Sequence, residues 1–127
     1  MESNLFVWVE IPVSDMDRAI KFYETVFEFE LKRVPMGELE MAWFPSAGSS
    51  YGATGTLVKN DKFYSPSNQG TVVYFSSPSG DIENELSRVE AAGGKIIQPK
   101  KLIAPEQGHM GVFLDSEGNK MGLNSPN

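Results

Sequence analysis

The sequence predicts an α+β domain of two consecutive βαβββ modules, and three observations carry that reading. An alternating apolar run changes into a helical one within Val7–Tyr23. The same order of elements starts again after a polar stretch, Asn60–Gly70. That stretch is too short to separate two independent domains, so the 127 residues read as one domain with modules at about 4–59 and 70–125. Neither half can bury both its sheet face and its helix stripe equally well alone, which predicts pairing of the halves, within a chain or between chains.

Each element has a local reason. Val7, Val9, Ile11 and Val13 alternate with Phe6, Trp8, Glu10 and Pro12, as in a strand with two different faces. Ser14 and Asp15 can cap a helix with an apolar stripe of Met16, Ala19, Ile20, Tyr23, Val26 and Phe27. Glu28–Val34 alternates as a second strand, Pro35-Met36-Gly37 reads as a turn, and Glu38–Phe44 is a third strand carrying Trp43. A Ser/Gly-rich loop leads to a fourth strand, Ala53–Lys59. In the second module, Thr71–Ser76 is a strand and Asp81 a cap, followed by a helix with Ile82, Leu86 and Val89 on one stripe. Gly93-Gly94 ends that helix. Lys95–Gln98 reads as a strand, Lys100–Gln107 as irregular, and His109–Asp115 and Lys120–Ser125 as strands flanking a turn around Gly118-Asn119.

Composition excludes several classes of function. A net charge of −6 argues against nucleic acid, whose binding depends on neutralising phosphates. The apolar runs are far shorter than a membrane span, and Met1-Glu2-Ser3-Asn4 lacks the zones of a signal peptide. With no cysteine, disulfide and thiol chemistry are out and a cytoplasmic location is the default expectation. One histidine and no cysteine make a zinc site of the usual ligands a poor fit.

Three segments carry a family resemblance: Val13–Tyr23, Val89–Lys95 and Phe113–Leu123. In that order they resemble the vicinal oxygen chelate superfamily of glyoxalase I, extradiol dioxygenases and bleomycin-resistance proteins. The chain is most similar to the small glyoxalase-like members of unassigned activity. The resemblance implies paired βαβββ modules whose sheets curve into an open cup, a homodimer, and a divalent metal held by one side chain from the first and one from the last strand of each module. Aligned on the Val13–Asp15 joint, those positions fall on Trp8, Gly55, Thr71 and Gly122, none of them a histidine or carboxylate. The expectation is therefore a cup with no metal and no cofactor, which cannot run the family's Lewis-acid chemistry.

Strand parity places Phe6, Trp8 and Glu10 toward the cup. A carboxylate there can serve as a general base or bind a cationic or hydroxyl group, or else pair with a lysine at a wet rim. His109, the sole imidazole, is a candidate partner for Glu10 or a surface residue. Trp8 and Trp43 can stack on a flat ligand or pack in the core. Thr71, Val73 and Phe75 share a parity and are expected to line the second half of the cup; Asn124 shares the face of Gly122, and Tyr51 with Ser49-Ser50 forms a candidate lip. Two functions follow: a protein binding a small apolar or aromatic molecule, or a glyoxalase-like lyase or isomerase using Glu10, with or without His109. A metal enzyme with misaligned ligands is the third.

Overall fold

The computed structural model describes residues 4–48 and 52–127. In chain order the elements are β1 (Trp8–Pro12), α1 (Met16–Phe27), β2 (Lys32–Met36), β3 (Leu39–Trp43) and β4 (Thr54–Lys59), then β5 (Val73–Ser76), α2 (Ile82–Val89), β6 (Lys95–Ala104), β7 (Gly108–Leu114) and β8 (Lys120–Ser125). Each module forms its own mixed four-stranded sheet, β1-β4-β3-β2 and β5-β8-β7-β6. The first and last strands of each module run parallel and the rest antiparallel. The two-module α+β architecture is the one expected from the sequence.

Both helices begin as their caps require. The Asp15 carboxylate accepts the Arg18 N–H at the start of α1, and that of Asp81 accepts the Glu83 N–H at the start of α2. The α1 face that turns inward is Met16, Ala19, Phe22, Tyr23, Val26 and Phe27. These join Ile82, Leu86 and Val89 of α2 and the helix-side residues of both sheets in one core. Each such large side chain contributes about 1.5–3 kcal/mol on burial. Phe22, outside the expected stripe, lies fully buried at the module boundary, with its ring 6.0 Å from that of Phe113.

Three boundaries differ from expectation, each for a physical reason. The second strand starts at Lys32 rather than Glu28, because Glu28 ends α1 in the left-handed conformation (φ 58°) and gives its N–H to the Glu24 carbonyl. Phe29 and Leu31 then pack into the core instead of pairing, with Phe29 stacked on Phe27 at 5.4 Å. Pro35 and Met36 belong to β2 and pair with Glu40 and Leu39; β2 is an edge strand, where proline's missing N–H costs no ladder bond. The stretch from Lys95 to Ala104 is one strand, also at an edge, which passes Pro99 by register shifts on either side.

A polar lock joins the modules. Glu117, in the β7–β8 turn, accepts the backbone N–H groups of Ser14 and Asp15 at 2.9 Å and the Arg18 guanidinium at 2.7 and 2.9 Å. The second module thereby caps the first module's helix. Burial pulls the Glu117 carboxyl upward, but the Arg18 bond, the two amides and the Ser116 hydroxyl outweigh it and hold it at about 2. Next to it, the buried Tyr23 hydroxyl donates to Asp115 at 2.6 Å, and Asn119 donates to the Pro12 carbonyl at 2.8 Å. Burial raises the Asp115 carboxyl, partly offset by its bonds to Tyr23 and Asn119.

Candidate functional site

Register decides which side chains share the sheet face away from the helices. Partnered residues in a ladder project to the same side. On the first sheet, Trp8 lies opposite Thr54, and Glu10 opposite Thr56, which in turn pairs with Trp43. Glu10, Thr56 and Trp43 thus form one row across β1, β4 and β3. The Trp8 and Trp43 rings meet edge to face at 5.9 Å and 81°, and both stay partly exposed, at 41% and 36%. Core packing, the alternative for Trp43, is not what the register gives. The Thr56 hydroxyl is spent on the carbonyls of Ala42 and Leu57.

Glu10 has a partner that the sequence did not suggest. The Tyr64 hydroxyl, from the connector between modules, donates to its Oε1 at 2.7 Å. This bond, helped by partial desolvation, raises the Tyr64 phenol above its ordinary value.

On the second sheet the parity is the reverse of expectation. Phe75 packs against Tyr23 and Phe27 at 5.9 and 4.8 Å, which puts it and Val73 on the helix side. The outward residue is Tyr74, which pairs with Gly122. A Cβ on Gly122 would lie only 2.5–2.7 Å from Tyr74 ring atoms, so the ring lies directly on the glycine. The one-residue slip has an identifiable source. The two parallel ladders end alike: Pro12 pairs with Val58 and Ser76 with Asn124, and the next residues, Val13 and Ser77, give their N–H groups to the carbonyls of Val58 and Asn124. Counting back from these ladder ends makes Val72, not Thr71, the counterpart of Trp8, and makes Tyr74 the counterpart of Glu10. Thr71 instead precedes β5 and lines a cleft with Glu10 and Val73.

Gly55 moves too. It pairs with Val9, and a Cβ there would sit 2.4 Å from the Val9 carbonyl oxygen, on the core side. The outward position of β4 that corresponds to Gly122 is Thr56, which pairs with Glu10 as Gly122 pairs with Tyr74. The matching first-strand and last-strand positions that face away from the helices are thus Trp8 with Thr56, and Val72 with Gly122.

His109 is not brought to Glu10. It registers with Ser125, whose hydroxyl accepts the Ile82 amide at the start of α2, so it belongs to the helix side of the other sheet. Its Nδ1 is buried without a partner among the described residues. Asn124, on the outward side with Gly122, gives its amide to the His109 backbone carbonyl at 2.9 Å. The candidate lip of Ser49, Ser50 and Tyr51 lies outside the described residues.

The match to known proteins agrees with this fold. The model of the Glyoxalase/Bleomycin resistance protein/Dioxygenase superfamily matches residues 5–123, and the chain belongs to that family. A glyoxylase-like domain-containing protein of Didymella fabae is 25% identical over 114 residues, covering 87% of this chain and 85% of its own. Among solved structures, a glyoxalase/bleomycin resistance protein from Albidiferax ferrireducens superposes with a TM-score of 0.68 at 16% identity, over 96% of this chain and 98% of that one. TnmS3, an antibiotic-binding protein from a Streptomyces species, gives 0.65 at 24%, over 100% and 99%. Glyoxalase I from Zea mays gives 0.66 at 22%, over 94% of this chain but only 45% of the longer maize chain.

The family's metal can now be tested against the donors present. Trp8, Thr56, Val72 and Gly122 supply no carboxylate or imidazole, and Tyr74 fills the space that a side chain at 122 would need. Among the described residues no three histidines or carboxylates stand close enough to share an ion. The donor set does not fit a divalent metal at these positions. None of the described helices is long and apolar enough to cross a membrane.

Proposed function

We propose that the chain binds a small apolar or aromatic molecule on the face marked by Trp8, Trp43 and Tyr74. The observation that carries this reading is that aromatic groups stand at or over two of the metal positions: Trp8 packed edge-on to Trp43, and Tyr74 laid on Gly122. Large rings left partly exposed on a sheet face offer stacking area at little entropic cost. An antibiotic-binding protein of the same fold supports the same direction. A thermal-shift screen of planar aromatic compounds tests it. Hits should bind the Trp43→Ala variant at least about tenfold more weakly; hits that bind it as well as wild type refute the reading.

A second reading rests on the Glu10–Tyr64 bond, which places an acid and a phenol together beside this face. There Glu10 acts as the general base of a lyase or isomerase. Glu10→Gln should then abolish turnover of a substrate while preserving its affinity, and unchanged turnover removes this option.

We also propose a homodimer. β1 and β5 are both end strands with open outer edges, and Leu5, Phe6 and Val7, in line with β1, are 78–79% exposed. Light scattering after size exclusion should give twice the 14.0 kDa chain mass; a monomer at micromolar concentration refutes it.

A further inference from the structure

Beside the aromatic face, a cleft of about 230 Å³ lies between the modules. Glu10 at β1, the connector residue Thr71, and Lys120 at the start of β8 stand around it, with Val73 and Met121 as apolar floor. None of Trp8, Trp43 or Tyr74 lines it. Its walls are bonded in place. Tyr64 holds Glu10 Oε1, the Ser67 N–H reaches Asn119 Oδ1 at 3.0 Å, and Asn119 holds the Pro12 carbonyl.

Polar groups of the residues lining the cleft are left unspent. Among the described residues, Glu10 Oε2, Lys120 Nζ and the Thr71 hydroxyl have no hydrogen-bond or ion-pair partner, and Glu10 and Lys120 do not pair with each other. Two opposite charges that line one cavity without joining leave room for a molecule carrying both complements. The volume is below the roughly 300–1,000 Å³ of drug-sized pockets.

We propose that this cleft binds a zwitterion of the α-amino acid class with a small aliphatic side chain. The ammonium group donates to Glu10 and the carboxylate accepts from Lys120 and Thr71, while the side chain rests on Val73 and Met121. Charge-assisted hydrogen bonds at both ends make the pairing selective. A lone carboxylate leaves Glu10 without a partner, and a lone amine leaves Lys120 without one.

The test is an amide-resolved NMR titration of the full chain with L-alanine and L-valine, alongside acetate and methylamine. The amino acids should shift backbone signals of Thr71, Val73 and Lys120–Met121 saturably and leave the indole N–H signals of Trp8 and Trp43 in place. Acetate and methylamine should each bind at least about tenfold more weakly, and Lys120→Met should weaken the amino acids by a similar factor. Absence of saturable shifts with both amino acids overturns the proposal. So does acetate binding as tightly as alanine, or a response confined to the indoles. The indole signals keep this test apart from that of the aromatic face, and Lys120→Met should melt as wild type does, since Lys120 has no ion-pair partner among the described residues.

Discussion

Replacing Glu117 by glutamine removes the charge that locks the two modules, and the structure sets the size of the effect. The carboxyl falls from 4.5 to about 2 on folding, which corresponds to about 3 kcal/mol of stability. The Glu117 side chain is fully buried but its Arg18 partner is 53% exposed, so screening reduces the expected loss to about 2 kcal/mol. The sign follows from the depressed value. The contribution is complete above the unfolded carboxyl value and disappears as pH falls toward about 2. Urea unfolding of wild type and Glu117→Gln should therefore differ by about 2 kcal/mol near pH 7 and by less than half of that near pH 3. A difference below about 0.5 kcal/mol near neutrality, or one that does not shrink with acid, refutes the trans-capping lock.

Other consequences are as direct. Gly122→Ala drives a methyl group into the Tyr74 ring and should cost about 1–3 kcal/mol in urea unfolding while shifting the Tyr74 NMR signals; a neutral substitution would mean that the ring does not lie there. Tyr23→Phe strips the 2.6 Å bond from the buried Asp115 and should lower stability by about 2 kcal/mol, again measured in urea. Elemental analysis of protein purified without chelator should find far less than one divalent ion per chain, because Trp8, Thr56, Val72 and Gly122 offer no strong donors.

Much of the fold was legible because its signals are local. Asp15 and Asp81 cap helices within three residues of themselves, and the change of period at Val13–Met16 needs no distant partner. Glu28 was not legible. A left-handed cap is usually glycine, and Phe29 and Leu31 alternate as a strand would while serving the core. The strand expected to stop at Gln98 runs on past Pro99, because an edge strand absorbs a proline through bulges. The site was half legible for a related reason. Trp8 and Glu10 followed from parity within a strand that a cap anchors. Tyr74 was lost to a slip of one residue, which in a strand exchanges the two faces completely. The Tyr64–Glu10 bond spans 54 positions, and no periodicity carries such information.

The most direct test of an aromatic face in place of the family's metal is the fluorescence of the Trp43→Phe variant, in which Trp8 is the only tryptophan left. Any aromatic ligand that raises the melting temperature of this variant should also quench or shift the Trp8 emission, with the same dissociation constant by both readouts. A stabilising aromatic ligand that leaves Trp8 emission unchanged at saturation would contradict the account.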